Sequence, residues 1–229
     1  MDTSIKEELY SLIDEEYREQ QKKDYPADAR QLLGIPIATL CETAREYACR
    51  KDWQEIVDSE LTDATFEEVL LQVLIAGYAN QNFEEAKTRI MAILPKIDSN
   101  QLCDAICLAF RTAIEYPEET LSLVEELLKV QEGYEQRFAI VLLLDYFVNS
   151  DYIDKTLTLY AAILPESPIV MQALSWGYLV CFLGFEAKTL TALNTSPIPQ
   201  ELRNHIADYI LQSPRLTENQ RQNILTLKS

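Results

Sequence analysis

In the stretch KIDSNQLCDAI, residues 96–106, one carboxylate stands where the neighbouring residues make an apolar helix. Asp104 is flanked by Leu102, Cys103, Ala105, Ile106, Leu108 and Phe110, with Asp98 or Ser99 as the expected helix cap. A charge in such company is a working residue, half of a structural ion pair, or the remnant of a lost activity. Burying it alone would be costly, so a partner such as Arg137 or Arg111 is expected. Trp176, in LSWGY, reads as an aromatic packed between Leu174 and Leu179, and Arg137, ahead of FAIVLLLDYF, as a residue that caps or pairs. Trp53 reads as packing, and the single histidine, His205, as a surface or helix-packing residue rather than a general base. The five cysteines (Cys41, Cys49, Cys103, Cys107, Cys181) form no CxxC pair, and with one histidine they offer no zinc-type ligand set. Cys103 and Cys107, four apart on one helix face, are expected in the core. No metal and no cofactor are expected.

The elements that must position these residues are helical. Glycine is rare, at 5 residues, and no run alternates as a strand would. In TFEEVLLQVLIAGYA the residues Phe66, Val69, Leu70, Val73, Leu74 and Gly77 trace one stripe, and in TLSLVEELLKV the stripe is Leu121, Val124, Leu127 and Leu128. Capping signatures stand at Thr65 with Glu68, Ser122 with Glu125, and Thr217 with Gln220. Short breakers separate the segments, among them NQN, LPKIDSN, YPEE, LPESP and NTSPIP. Ala-Ile-Leu-Pro occurs twice, ending at Pro95 and at Pro165, which are 165 − 95 = 70 positions apart with one similar helix–break–helix unit between them. A period near 35 fits paired-helix repeats of the HEAT kind. The second, more apolar helices of three repeats should then begin near Ser99, Tyr134 and Ile169. The expected fold is an all-α HEAT-like solenoid with a concave groove, one domain over residues 1–229, with divergent N-terminal helices in 1–62 and paired-helix repeats in 63–229.

Charge narrows the function. Lys plus Arg number 20 against 37 Asp plus Glu, a net charge of −17, and such a surface repels phosphate backbones. The N-terminus MDTSIKEELYSLIDEEY has no signal-peptide core, and the longest apolar run, WGYLVCFLGF, falls short of the roughly 18 residues that span a bilayer. With no disulfide framework, a cytoplasmic protein without a membrane partner is expected.

Five segments in order resemble one known family. LLGIPIATL, FEEVLLQVLIAGY, LPKIDSNQLCD, YEQRFAIVLLLDYF and VMQALSWGYLVCFL, followed by the helix pair at ELRNHIADYILQSPRLT, are similar to the DNA alkylation repair family, the alkylpurine DNA glycosylases of the AlkD type. Such enzymes excise bases that alkylation has made cationic. The resemblance implies a motif Asn-Trp-x-x-x-Asp whose carboxylate stabilises the positive charge developing on the deoxyribose, a task suited to a desolvated acid. Carried over by position, Asp104 is that catalytic carboxylate, Trp176 the second aromatic and Arg137 the phosphate-contacting arginine. Asn100 occupies the place of the first aromatic, Pro36 and Cys41 stand where the family has arginines, and CETARE replaces a lysine-rich helix.

Three functions follow from these residues. The reading preferred here is a degenerate member with weak or no glycosylase activity, which binds duplex DNA weakly. Against it stand an active glycosylase for N3- and N7-alkylated purines, and a scaffold whose concave face holds a protein partner.

Overall fold

The computed structural model describes residues 3–23, 30–59, 64–79, 82–130 and 133–228. Among them every regular element is helical: α1 (Thr3–Ser11), α2 (Glu15–Gln21), α3 (Ile37–Ala48), α4 (Trp53–Asp58), α5 (Phe66–Tyr78), α6 (Phe83–Ile93), α7 (Asn100–Ala109) and α8 (Thr112–Glu115) come first. They are followed by α9 (Pro117–Leu127), α10 (Tyr134–Tyr146), α11 (Ile153–Ala161), α12 (Pro168–Gly184), α13 (Glu186–Thr195), α14 (Gln200–Leu211) and α15 (Glu218–Leu225). The chain divides into two compact units, Met1–Glu115 and Tyr116–Ser229. The expected division between residues 62 and 63 and the breaker residues Asn80 and Gln81 lie outside the described residues.

Each unit is a two-layer stack of helices. In the first, α3, α5 and α7 pack side by side, and α4 and α6 cover α5 from the other layer. In the second, α10, α12 and α14 form one layer and α9, α11 and α13 the other. The helices α5, α7, α10 and α12 begin at Phe66, Asn100, Tyr134 and Pro168, each 34 residues after the one before. The repeat period thus runs one unit further toward the N-terminus than the Ala-Ile-Leu-Pro echo alone reaches.

Local chemistry explains most of the boundaries. Ser99, not Asp98, caps α7, its hydroxyl accepting from the Leu102 N–H. Asp98 instead bonds Arg30 at 2.7 Å. Thr65 and Thr217 close full capping boxes with Glu68 and Gln220, as their spacing predicts. Ser122 does not cap. Pro117 at the first helical position, with Glu118 and Glu119 in the first turn, starts α9 earlier, and the Ser122 hydroxyl donates inside the helix to the Glu118 carbonyl. The single stripe expected for α5 is also too narrow: Leu71, Ile75 and Ala76 are as buried as Leu70 and Leu74, because α3, α7, α4 and α6 surround the helix.

Cys103 and Cys107 are core residues of α7, Cys181 is buried in α12, Cys41 is half-buried and Cys49 is exposed. Burial pushes the Cys181 thiol up to about 12, so it stays protonated and inert at neutral pH. Titration of the native protein with a thiol-specific reagent should give one fast equivalent at Cys49, a slower one at Cys41, and the other three only in denaturant. A third equivalent under native conditions would contradict this packing.

Candidate functional site

Asn100 and Asp104 share one face of α7, one turn apart, and both are half-buried. The Ser99 cap fixes where the helix starts and therefore which way both side chains face. Asp104 as a residue is less enclosed than its apolar sequence neighbours imply: Cys103, Ile106 and Cys107 are fully buried, and Asp104 is half-buried. Leu108, one of the residues expected to crowd it, is 61% exposed. Arg111 lies beyond the end of α7 and is exposed.

Arg137 and Trp176 belong to the second unit. Arg137, near the start of α10, is 3% exposed. Its guanidinium donates to the Ile169 carbonyl and to the Gln172 side-chain oxygen, both at 3.3 Å, tying α10 to the first turns of α12. Trp176 is half-buried on α12, between fully buried Ser175 and Gly177. His205 is exposed on α14, and Trp53 packs beneath the Arg89 guanidinium at 4.6 Å, in keeping with the structural roles their contexts predict.

A buried carboxylate that the sequence does not single out holds three backbone N–H groups. Glu67, on α5 and 1% exposed, accepts backbone N–H bonds from Leu33 (2.8 Å), Gly34 (2.7 Å) and Ile35 (3.2 Å). These three residues lie in LLGIPIATL, the segment that leads into α3 and carries Pro36. Gly34 turns there with a φ of 91°, and a Cβ on it would stand 2.3 Å from the Arg18 Cβ, so the left-handed conformation and the close approach both require glycine. Next to Glu67, Glu68 bonds Lys6 at 3.0 Å and the Thr65 N–H at 2.8 Å. Burial pushes the Glu68 carboxyl up, but the Thr65 N–H and the Lys6 ammonium outweigh it and hold it below the usual carboxylate range. The Thr65–Glu68 spacing makes the role of Glu68 legible in the sequence, whereas that of Glu67 rests on backbone more than thirty residues away.

In each unit the helices that carry the candidate residues, and those packed beside them, are poor in cations. Along α3, α5, α7, α10, α12 and α14 the basic residues, histidine aside, are Arg45, Arg137 and Arg203. The same helices hold nine acids: Glu42, Glu46, Glu67, Glu68, Asp104, Glu135, Asp145, Glu201 and Asp208. Of the three arginines only Arg45 is exposed, and its guanidinium lies over the Tyr78 ring at 4.9 Å. Among the described residues no group of three or more His, Cys, Asp or Glu could hold a metal ion, and no helix is long and apolar enough to cross a membrane.

Layered helices, four of which start at a 34-residue period, define an all-helical repeat protein. The chain belongs to the DNA alkylation repair enzyme family, whose profile matches residues 5–176, about three quarters of its length. Asn100, Asp104, Arg137 and Trp176 all fall within that match, and α13 to α15 lie beyond it. Comparison with curated proteins and with solved structures returned no significant match.

Proposed function

We propose that this chain is a divergent member of its family, with weak or no glycosylase activity and weak affinity for duplex DNA. One observation carries the reading: Arg137, the residue that corresponds to the phosphate-contacting arginine, spends its guanidinium on the Ile169 carbonyl and the Gln172 side chain and is almost wholly buried. An arginine engaged in this way must break protein hydrogen bonds before it can bind a phosphate. Three arginines against nine acids on α3, α5 and α7 of the first unit and α10, α12 and α14 of the second support the reading, because useful duplex binding needs several phosphate contacts. Asn100 adds to it, since an amide offers no aromatic face on which a base or sugar could stack. In this reading residues 63–229 are successive copies of one paired-helix unit, supported by the 34-residue spacing, and residues 1–62 are divergent helices that precede them.

The alternative, an active glycosylase for cationic N3- and N7-alkylated purines, is favoured by the partial exposure of Asp104. A half-buried carboxylate is partly desolvated, the setting in which it can stabilise an oxocarbenium-like transition state. Release of 7-methylguanine and 3-methyladenine from alkylated duplex separates the two. The expected rate equals that of spontaneous depurination, with no change in Asp104→Asn. Duplex affinity at moderate salt should fall no tighter than the non-specific range of about 10⁻⁴ to 10⁻⁶ M, with a shallow salt slope. Tight binding with a steep slope, together with base release lost in Asp104→Asn, would establish the enzyme instead.

A further inference from the structure

The two Ala-Ile-Leu-Pro segments have the same place in their repeats, closing α6 and α11, yet their leucines differ. Leu94 is 2% exposed, whereas Leu164 is 61% exposed. In the second unit this leucine stands at the mouth of a cleft of about 360 Å³ between α9 and α11, whose aliphatic wall is formed by Leu128, Leu159 and Ile163. At the inner end lies Gln136, 9% exposed. Its amide N–H groups donate to the Leu128 and Val130 carbonyls, at 3.2 and 3.1 Å, which fixes the side chain. Its amide oxygen is buried and, among the described residues, has no hydrogen-bond partner.

The charges on this cleft are unlike those of the chain. Lys129 and Lys155 face it with Glu125, which already bonds Lys155, so the lining is net positive in a protein of net charge −17. Across Leu164 lies a second cleft, lined by Glu166 and Glu201, with the opposite sign. We infer that the α9–α11 cleft is a docking site for an extended segment of another protein, in which an aliphatic side chain seats against Leu164 and Ile163. An acidic residue of that segment on the α9 side meets Lys129. Apolar contact supplies the affinity, and the lysine fixes direction. The cleft opens between α9 and α11 and does not include Arg137 or Trp176, so it goes beyond the proposed function and its test reads neither DNA binding nor base release.

The test is selection of random decapeptides displayed on phage against the full-length wild-type chain, followed by fluorescence anisotropy on the enriched sequences. Enriched peptides should carry an aliphatic residue flanked by Asp or Glu. Their affinity should fall about tenfold or more in Leu164→Asp, a change at an exposed position that leaves the core intact, and severalfold in Lys129→Glu. Circular dichroism of both variants checks that the fold is retained. Three results would overturn the inference: no enrichment, enriched peptides that are neutral or basic, or binding indifferent to both substitutions. Sedimentation showing a concentration-dependent dimer that Leu164→Asp abolishes would overturn it as well, by assigning the face to a second copy of this chain.

Discussion

Glu67→Ala should destabilise the protein more than any other single replacement of an acid. The substitution leaves the N–H groups of Leu33, Gly34 and Ile35 buried without their acceptor. Each orphaned donor costs about 1–3 kcal/mol, and because the three share one carboxylate and can relax together, a total of about 3–5 kcal/mol is expected. That is a large share of the roughly 5–15 kcal/mol that holds a domain folded. Glu67→Gln should be intermediate. One oxygen can still serve Gly34 and Ile35, but the new NH₂ group is set against the Leu33 N–H, donor against donor. Urea denaturation gives the order wild type, then Gln, then Ala, read from midpoints at unchanged slope. A loss below about 1 kcal/mol for Glu67→Ala would mean that water replaces the carboxylate and that the segment before α3 is not held as described.

The same acid shows where a sequence is legible and where it is not. Period and caps are local signals. The 34-residue spacing of Phe66, Asn100, Tyr134 and Pro168 is visible as a repeated break pattern, and Ser99, Thr65 and Thr217 cap helices because a hydroxyl three residues upstream of an N–H needs nothing else. Ser122 carried the same signature and failed, because Pro117 five residues earlier is a stronger start. Glu67, by contrast, depends on a loop more than thirty residues away. Nothing in FEEVLLQ distinguishes an acid that pairs with distant backbone from one on a solvated face. Arg137 is a similar case. Its motif position suggests a ligand, while its engagement depends on the Ile169 carbonyl of a helix that begins at Pro168. Family membership fixes which positions to inspect, and packing decides what those side chains are free to do.

Packing also sets the second large effect. Gly77→Ala should destabilise the first unit even though alanine is the better helix former. A Cβ built on Gly77 would stand 2.5 Å from the Ala109 Cβ and 2.9 Å from the Ala109 carbonyl carbon and oxygen. Two of those three neighbours are backbone, so no rotamer change relieves the overlap and α5 must move away from α7. The propensity gain of about 1 kcal/mol is set against overpacking strain of about 1–3 kcal/mol or more, and because the obstacle is backbone the strain should win by about 1–2 kcal/mol. Two other glycines calibrate the expectation. A Cβ on Gly177 would stand 2.7 Å from the far end of the Tyr160 ring, which is itself buried and donates its hydroxyl to the Ile140 carbonyl, so Gly177→Ala should also destabilise. Gly184, at the end of α12, has no atom within 4 Å of the same position, and Gly184→Ala should be neutral or slightly stabilising. Thermal denaturation of the three variants separates contact from propensity: if Gly77→Ala and Gly184→Ala shift the midpoint alike, the close approach of α5 and α7 is wrong. The consequence reaches the candidate site, because α7 carries Asn100 and Asp104. A helix pushed off α5 at Ala109 carries that carboxylate with it, so Gly77→Ala should alter the environment of Asp104 without touching it, seen as a shift of its side-chain resonance in NMR spectra.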